Sequence, residues 1–311
     1  MITAEDGTSP ADDANRQRPG APIIPAPGQG PLFAGIDQEE VQKTMSTFLY
    51  SAHIGYLFSE LPLSERAAAA ARAGFDAVEY PAPYAVPAEE MAKWLKSAGL
   101  SYTQFGLYSG DANKGEKGIG IFPDQRDQFR RSVADALDYA EAINVSMVHA
   151  MAGVLPPDRR SHIHWDCYVE NLAYAAQEAK KRGIRVIVEP MSAGAVPDYF
   201  ISTPDQAAHA IAEAGGDNLG LLLDVFHTVS AGLDVHQQIM KHAALIAHVH
   251  IADFPGRHEP GSGTLDFPAI CRSLTKAGYL GRLGCEYIPA ATTEAGLGWL
   301  SAARLFAQQA S

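Results

Sequence analysis

From residue 48 onward, short apolar runs and longer amphipathic stretches alternate along the chain with a regular period. The apolar runs at 48–54, 77–80, 102–107, 147–150, 185–189, 219–224, 246–251 and 283–286 read as strands. The stretches at 65–73, 88–98, 127–143, 165–182, 204–214, 235–243, 267–277 and 294–309 read as helices. Ser64 and Thr203 suit N-caps, while Gly74, Gly99, Gly183 and Gly278 follow helices where a left-handed residue ends them. Strands that alternate with helices imply right-handed crossovers and a parallel sheet. Eight such pairs in the roughly 265 residues from Met45 onward predict an α/β fold, a closed (β/α)8 TIM barrel. The alternative is an open doubly wound sheet, but no G-x-G-x-x-G follows the first strand.

Composition changes the picture first at the N-terminus. Residues 1–44 carry Pro10, Pro19, Pro22, Pro25, Pro27 and Pro31 among Gly, Asp and Gln, which predicts a disordered extension ahead of a barrel over 45–311. No apolar run approaches the ~18 residues that span a bilayer, and the N-terminus has no signal-peptide core. The three cysteines, Cys167, Cys271 and Cys285, lack ligand spacing and suit buried packing in a reduced compartment. The expectation is a cytoplasmic protein with no membrane partner. A net charge of −12 spread over the chain would repel a phosphate backbone, so nucleic acid is not an expected partner either.

In a barrel the C-terminal ends of the strands converge on one face. Glu189, Asp224, His250 and Glu286 stand at four such ends, separated by 35, 26 and 36 residues, about one strand–helix unit each. That spacing puts them on the fifth to eighth strands. Each acid alone would also serve as a helix cap or an ion-pair partner. Together, three carboxylates and an imidazole repel one another less around a divalent cation. Oxygen-rich donors with room for substrate oxygens suit Mn²⁺, Mg²⁺ or Co²⁺ better than a closed structural Zn²⁺ site, with zinc a further candidate.

The motifs around these ends carry a resemblance. V-E-Y-P-A-P-Y at 78–84, S-G-D-A-N-K-G-E-K-G at 109–118, V-H-A-M-A-G-V at 148–154 and V-E-P at 188–190 are joined by L-D-V-F-H at 223–227. H-V-H-I-A-D-F-P-G-R-H-E-P-G at 248–261 and G-C-E-Y at 284–287 complete the set. The chain resembles the hydroxypyruvate isomerase family within the xylose isomerase-like barrels, from about residue 48 to 299. The resemblance implies a metal held by Glu189, Asp224, His250 and Glu286. It also implies His227 and Arg257 oriented toward substrate oxygens, with Glu189 and Glu286 in proton transfer. Three departures stand out: Thr264 where the family pattern G-x-G-E carries an acid, His53 in a first strand that elsewhere contains Asn, and His250 where some members carry Gln.

The chemistry of the residue types agrees with these roles. Carboxylates on two sides of a substrate can remove and return an α proton, and the planar fork of Arg257 suits a substrate carboxylate. Arg257 could equally pair with Glu259 or Asp253, and His227 could be a cap or core histidine. Glu79, His149 and His53, at the ends of the second, fourth and first strands, are candidate pocket-lining groups, as is His258, and each would serve equally as a support behind the pocket or a structural group. The glycine-rich loop at 110–120 has no phosphate-binding pattern and reads as a lid or pocket wall. The expected activity is isomerisation of a small hydroxy-keto acid, hydroxypyruvate to tartronate semialdehyde or 2-oxotetronate to 3-oxotetronate, by a monomer or homo-oligomer. The alternatives are a ketose 3-epimerase on the same metal site and a non-catalytic sugar-binding barrel.

Overall fold

A computed structural model describes residues 43–309 of the chain. The extension expected over 1–44 lies outside the described residues, apart from its last two.

The elements follow the expected alternation. Strand β1 (Tyr50–His53) leads to helix α1 (Leu63–Arg72), and β2 (Ala77–Glu79) to α2 (Ala88–Ala98). The third strand comes in two pieces, β3 (Ser101–Tyr102) and β4 (Phe105–Gly106), ahead of α3 (Arg126–Ala142). Then come β5 (Met147–His149), α4 (His162–Lys180), β6 (Arg185–Val188), α5 (Pro204–Ala214) and β7 (Leu219–Asp224). Two short helices, α6 (Val225–Ser230) and α7 (Val235–Lys241), precede β8 (Ile246–Ile251). The order closes with α8 (Phe267–Lys276), β9 (Leu283–Cys285) and α9 (Gly298–Gln309).

All strand pairs are parallel, in the order β3-β2-β1-β9-β8-β7-β6-β5-β4. The first and last members of that order are the two halves of one stretch. Ser101–Tyr102 pairs with β2, and Phe105–Gly106 pairs with β5. The chain changes partner at Thr103 and Gln104, so this kinked strand closes the sheet into a TIM barrel. The expected unbroken strand at 102–107 is thereby corrected.

Local chemistry explains the element ends. Thr203 Oγ1 accepts a hydrogen bond from Gln206 N (3.3 Å) and Pro204 occupies the first turn, so α5 starts where its cap predicts. Gly99 ends α2 at φ 68°, the conformation in which glycine has no Cβ penalty. Ser64 does not cap α1. Pro62 holds that position with φ −55°, and the helix is already under way at Leu63. Helix α6 is short and the periodicity does not reveal it, because Asp224 is both the last residue of β7 and the N-cap, accepting from His227 N at 2.7 Å.

Inside the barrel the strands are almost wholly buried, and the helices pack their small and apolar faces on them. The register aligns the strand ends: Asp224 lies opposite His250, and His250 opposite Gly284. All three cysteines are free and buried. The loop after β4 is pinned rather than free, since Gly118 N donates to Ser109 O (2.6 Å) and Gly118 bridges to Ala152. Among the described residues no helix is long and apolar enough to cross a membrane.

Candidate active site

Glu189, Asp224, His250 and Glu286 each offer one ligand atom at the strand ends, and these four atoms lie within 4.8 Å of one another. Glu189, Asp224 and His250 are buried, and Glu286 alone is partly open. The polar atoms that converge here are under-satisfied. Glu189 Oε1, Asp224 Oδ2 and His250 Nδ1 are buried without a hydrogen bond. His250 Nδ1 stands 3.6 Å from Glu189 Oε1 and 3.4 Å from Glu286 Oε2. Buried lone pairs left in this state cost free energy, and a cation that accepts them removes the cost. Three carboxylate oxygens and one imidazole nitrogen form a donor set that fits a hard or borderline divalent ion.

Electrostatics divides the acids. Burial works against ionisation of Glu286, but the Arg257 guanidinium and His250 outweigh it and hold the carboxyl well below its usual range. Burial pushes Asp224 up, with His227 and Arg257 only partly compensating. Burial disfavours a charged His250, yet Glu79, Glu286 and Glu189 together hold its pKa well above 6.5.

Arg257 sits at φ 55° in the loop after β8. Asp253 organises that loop, accepting backbone N–H bonds from Phe254, Gly261, Gly263 and Leu265 at 2.8 to 3.1 Å. The guanidinium lies between the Tyr56 and Phe226 rings, 5.6 and 5.3 Å from their centroids. Its Nη2 donates to Glu286 and stands 3.7 Å from Asp224 Oδ2. Neither alternative partner takes it, because Glu259 accepts from Ala290 N (3.0 Å) and Asp253 is committed to the loop amides. His258 ties the same loop to Ile288 O through Nδ1 at 2.7 Å.

His227 is fixed from both ends. Its backbone N–H donates to Asp224 Oδ1, and its Nδ1 lies 3.3 Å from Ser192 N. A backbone N–H can only donate, so Nδ1 accepts and the neutral ring carries its proton on Nε2. His53 and His149 flank the two glutamates. His53 Nε2 is 3.4 Å from Glu286 Oε1, and His149 Nδ1 is 3.8 Å from Glu189 Oε2. Burial lowers the pKa of both imidazoles despite the nearby acids.

Of the places open to Glu79, pocket wall or support behind it, the structure gives it the second. It has no exposure at all and meets His250 at Nε2, the ring nitrogen turned away from Glu189 and Glu286. Glu79 Oε2 meets His248 Nε2 at 3.0 Å, His250 Nε2 at 3.4 Å and Gln104 Nε2 at 3.2 Å. Burial would raise this carboxyl, but His248 and His250 hold it well below 4.5 and ionised. Glu79, His248 and His250 thus form a second group able to hold a cation, sharing His250 with the first. Their Nε2–Oε2 contacts lie near hydrogen-bond distance, so this group is bonded to itself. His248, Gln104, Tyr56, Phe226 and Ser192 escape sequence reasoning. For His248 the signal is present in the H-V-H alternation of β8, which turns both imidazoles to the same side of the strand.

The family model described as Xylose isomerase-like TIM barrel matches residues 67–303. The chain is 37% identical over 251 residues to the 2-oxo-tetronate isomerase of Cupriavidus necator, covering 81% of this chain and 96% of that protein. It is 34% identical to the hydroxypyruvate isomerase of Escherichia coli K12, covering 81% and 97%. A crystal structure described as AP endonuclease, family 2, from Brucella melitensis superposes with a TM-score of 0.80 at 34% identity, covering 82% of this chain and 98% of that one. The chain therefore belongs to the xylose isomerase-like TIM barrel family and is an enzyme of the isomerase class.

Proposed function

We propose that this enzyme moves the carbonyl of a small hydroxy-keto acid by one carbon, with hydroxypyruvate or 2-oxotetronate as substrate, and that Glu189, Asp224, His250 and Glu286 hold a divalent cation. The observation that carries this reading is the convergence of Glu189 Oε1, Asp224 Oδ2 and His250 Nδ1, all buried and without hydrogen bonds, beside the Glu286 carboxylate. The names and coverage of the relatives support the substrate class. When bound, the cation supplies Lewis-acid stabilisation to the oxyanion that develops on the substrate carbonyl.

The rest of the work falls to the chain's own side chains. For hydroxypyruvate, one glutamate removes a proton from C3, leaving an enediolate across C2 and C3. A proton returned to C2, with the C3 hydroxyl proton passing to the oxygen on C2, gives tartronate semialdehyde. We assign this step to Glu189 and Glu286, whose carboxylates stand on His250 Nδ1 from two different strand ends. His149 and His53 bear on their remaining oxygens and steady them. His227 Nε2–H is a donor for a substrate oxygen. Arg257 keeps a buried Nε without a hydrogen bond, a donor for the substrate carboxylate.

The test follows hydroxypyruvate, 2-oxotetronate and a set of ketoses by proton NMR in D2O with Mn²⁺, Mg²⁺ or Co²⁺ supplied. The reading predicts carbonyl migration on an acid substrate, with solvent deuterium at the carbon that receives the proton. Exchange confined to an epimerised ketose carbon, with no carbonyl migration, would replace it with a 3-epimerase.

A further inference from the structure

The buried group around Glu79 suggests a role for the acid of the second strand. Glu79 is at the end of β2, and His250 is 171 residues away in sequence, on β8, with β1 and β9 between the two strands. His250 uses its two ring nitrogens in opposite directions. Nε2 faces Glu79 Oε2 at 3.4 Å, and Nδ1 faces Glu189 Oε1 and Glu286 Oε2 at 3.6 and 3.4 Å. Glu79 is itself held, by His248 Nε2 at 3.0 Å and Gln104 Nε2 at 3.2 Å, and it is wholly buried. The barrel leaves a space for this group. Gly284 of β9 lies opposite His250, and a Cβ there would overlap Glu79 Oε1 and come within 2.5 Å of His250 Cδ2 and 2.8 Å of His248 Nε2.

We infer that Glu79 is a positioning residue for the cation site: it accepts a hydrogen bond from His250 Nε2–H, fixes that ring's tautomer and presents the bare Nδ1 lone pair to the metal. His248 and Gln104 hold Glu79 in turn. The chemistry is general. A metal-binding imidazole whose other nitrogen donates to a carboxylate is both oriented and made more basic, and loss of the partner typically weakens metal binding about 10- to 100-fold. Glu79 Oε2 faces the Nε2 atoms of His248, His250 and Gln104, the place of an acceptor, so the proton between Glu79 and His250 belongs to Nε2. Binding a cation requires the neutral ring, and in that form Nδ1 carries no proton. This also explains the H-V-H pattern of β8, in which His248 braces the acid that orients His250.

The inference rests on the proposed cation site, and its test separates the two. Mn²⁺ and Co²⁺ affinities are measured by competition with a chromophoric chelator for the wild type, Glu79→Gln and Asp224→Asn, with circular dichroism on each metal-free protein. Glu79→Gln keeps the shape and removes the charge. The expected result is tight binding by the wild type, about 10- to 100-fold weaker binding by Glu79→Gln, and a changed Co²⁺ ligand-field spectrum in that variant. Wild-type protein that binds neither metal, like Asp224→Asn, would overturn the cation site and the inference with it. Unchanged affinity and an unchanged Co²⁺ spectrum in a folded Glu79→Gln would overturn the inference alone. Should Glu79→Gln fail to fold, long-range nitrogen–proton NMR of the Mg²⁺-loaded wild type decides, with His250 assigned by its loss in His250→Gln. A proton on Nε2 of His250 supports the inference, and a proton on Nδ1 overturns it.

Discussion

Arg257 Nη2 donates to Glu286 and stands 3.7 Å from Asp224 Oδ2, so one guanidinium touches acids from two strand ends. The Tyr56 and Phe226 rings hold it in place. The positive charge lets carboxylates accumulate in a buried space and still keep Glu286 ionised. Arg257→Lys keeps the charge and loses the planar fork. The expected outcome is a fall in kcat/KM on the acid substrate of about 10- to 100-fold, the scale of one or two charge-assisted hydrogen bonds. Steady-state kinetics on paired substrates checks it. An equal loss on an analogue without a carboxylate would speak against a carboxylate clamp.

Gly284→Ala probes the packing of the buried Glu79–His248–His250 group. The added methyl overlaps Glu79 Oε1 and crowds both imidazoles, and no flexible surface atom is there to give way. Overpacking of this kind costs about 1–3 kcal/mol. Thermal or urea unfolding should report that loss, and chelator competition should report weaker metal binding in the folded variant. Wild-type values in both would mean that the barrel interior is looser than described.

The cysteines should be inert in the native protein. Burial pushes the Cys271 thiol up to about 12, and raises Cys285 and Cys167 as well. At pH 8 each is therefore a thiol rather than a reactive thiolate, and each is buried. Ellman's reagent should react slowly with folded protein and find 3 thiols after denaturation. Rapid stoichiometric reaction of the folded chain would contradict the packing.

Much of this was readable along the chain because a barrel repeats. Strand ends recur once per unit, so Glu189, Asp224, His250 and Glu286 could be assigned to neighbouring strands from spacing alone, and the register aligns two of them directly. What spacing cannot convey is which way a side chain at a strand end points. Glu79 and Glu189 both end apolar runs, yet Glu79 turns into the barrel because His248, His250 and Gln104 offer donors there. That partnership spans 169 residues between Glu79 and His248, beyond any local pattern. The kink at Thr103 and Gln104 was hidden for a similar reason. It reflects a change of partner strand, and Thr103 Oγ1 secures it on Ser51 at 2.8 Å. Helix α6 escaped because its six residues are too few for a helical period to register.

The central claim is that catalysis depends on a divalent cation held by the four strand-end side chains. The most direct measurement is the isomerase rate on hydroxypyruvate and 2-oxotetronate after exhaustive chelation, with metal content verified, followed by stepwise return of Mn²⁺, Mg²⁺ or Co²⁺. The account predicts that activity disappears with the metal, returns in proportion to about one cation per chain, and is not restored in Asp224→Asn. Full activity in protein shown to be free of metal would contradict it.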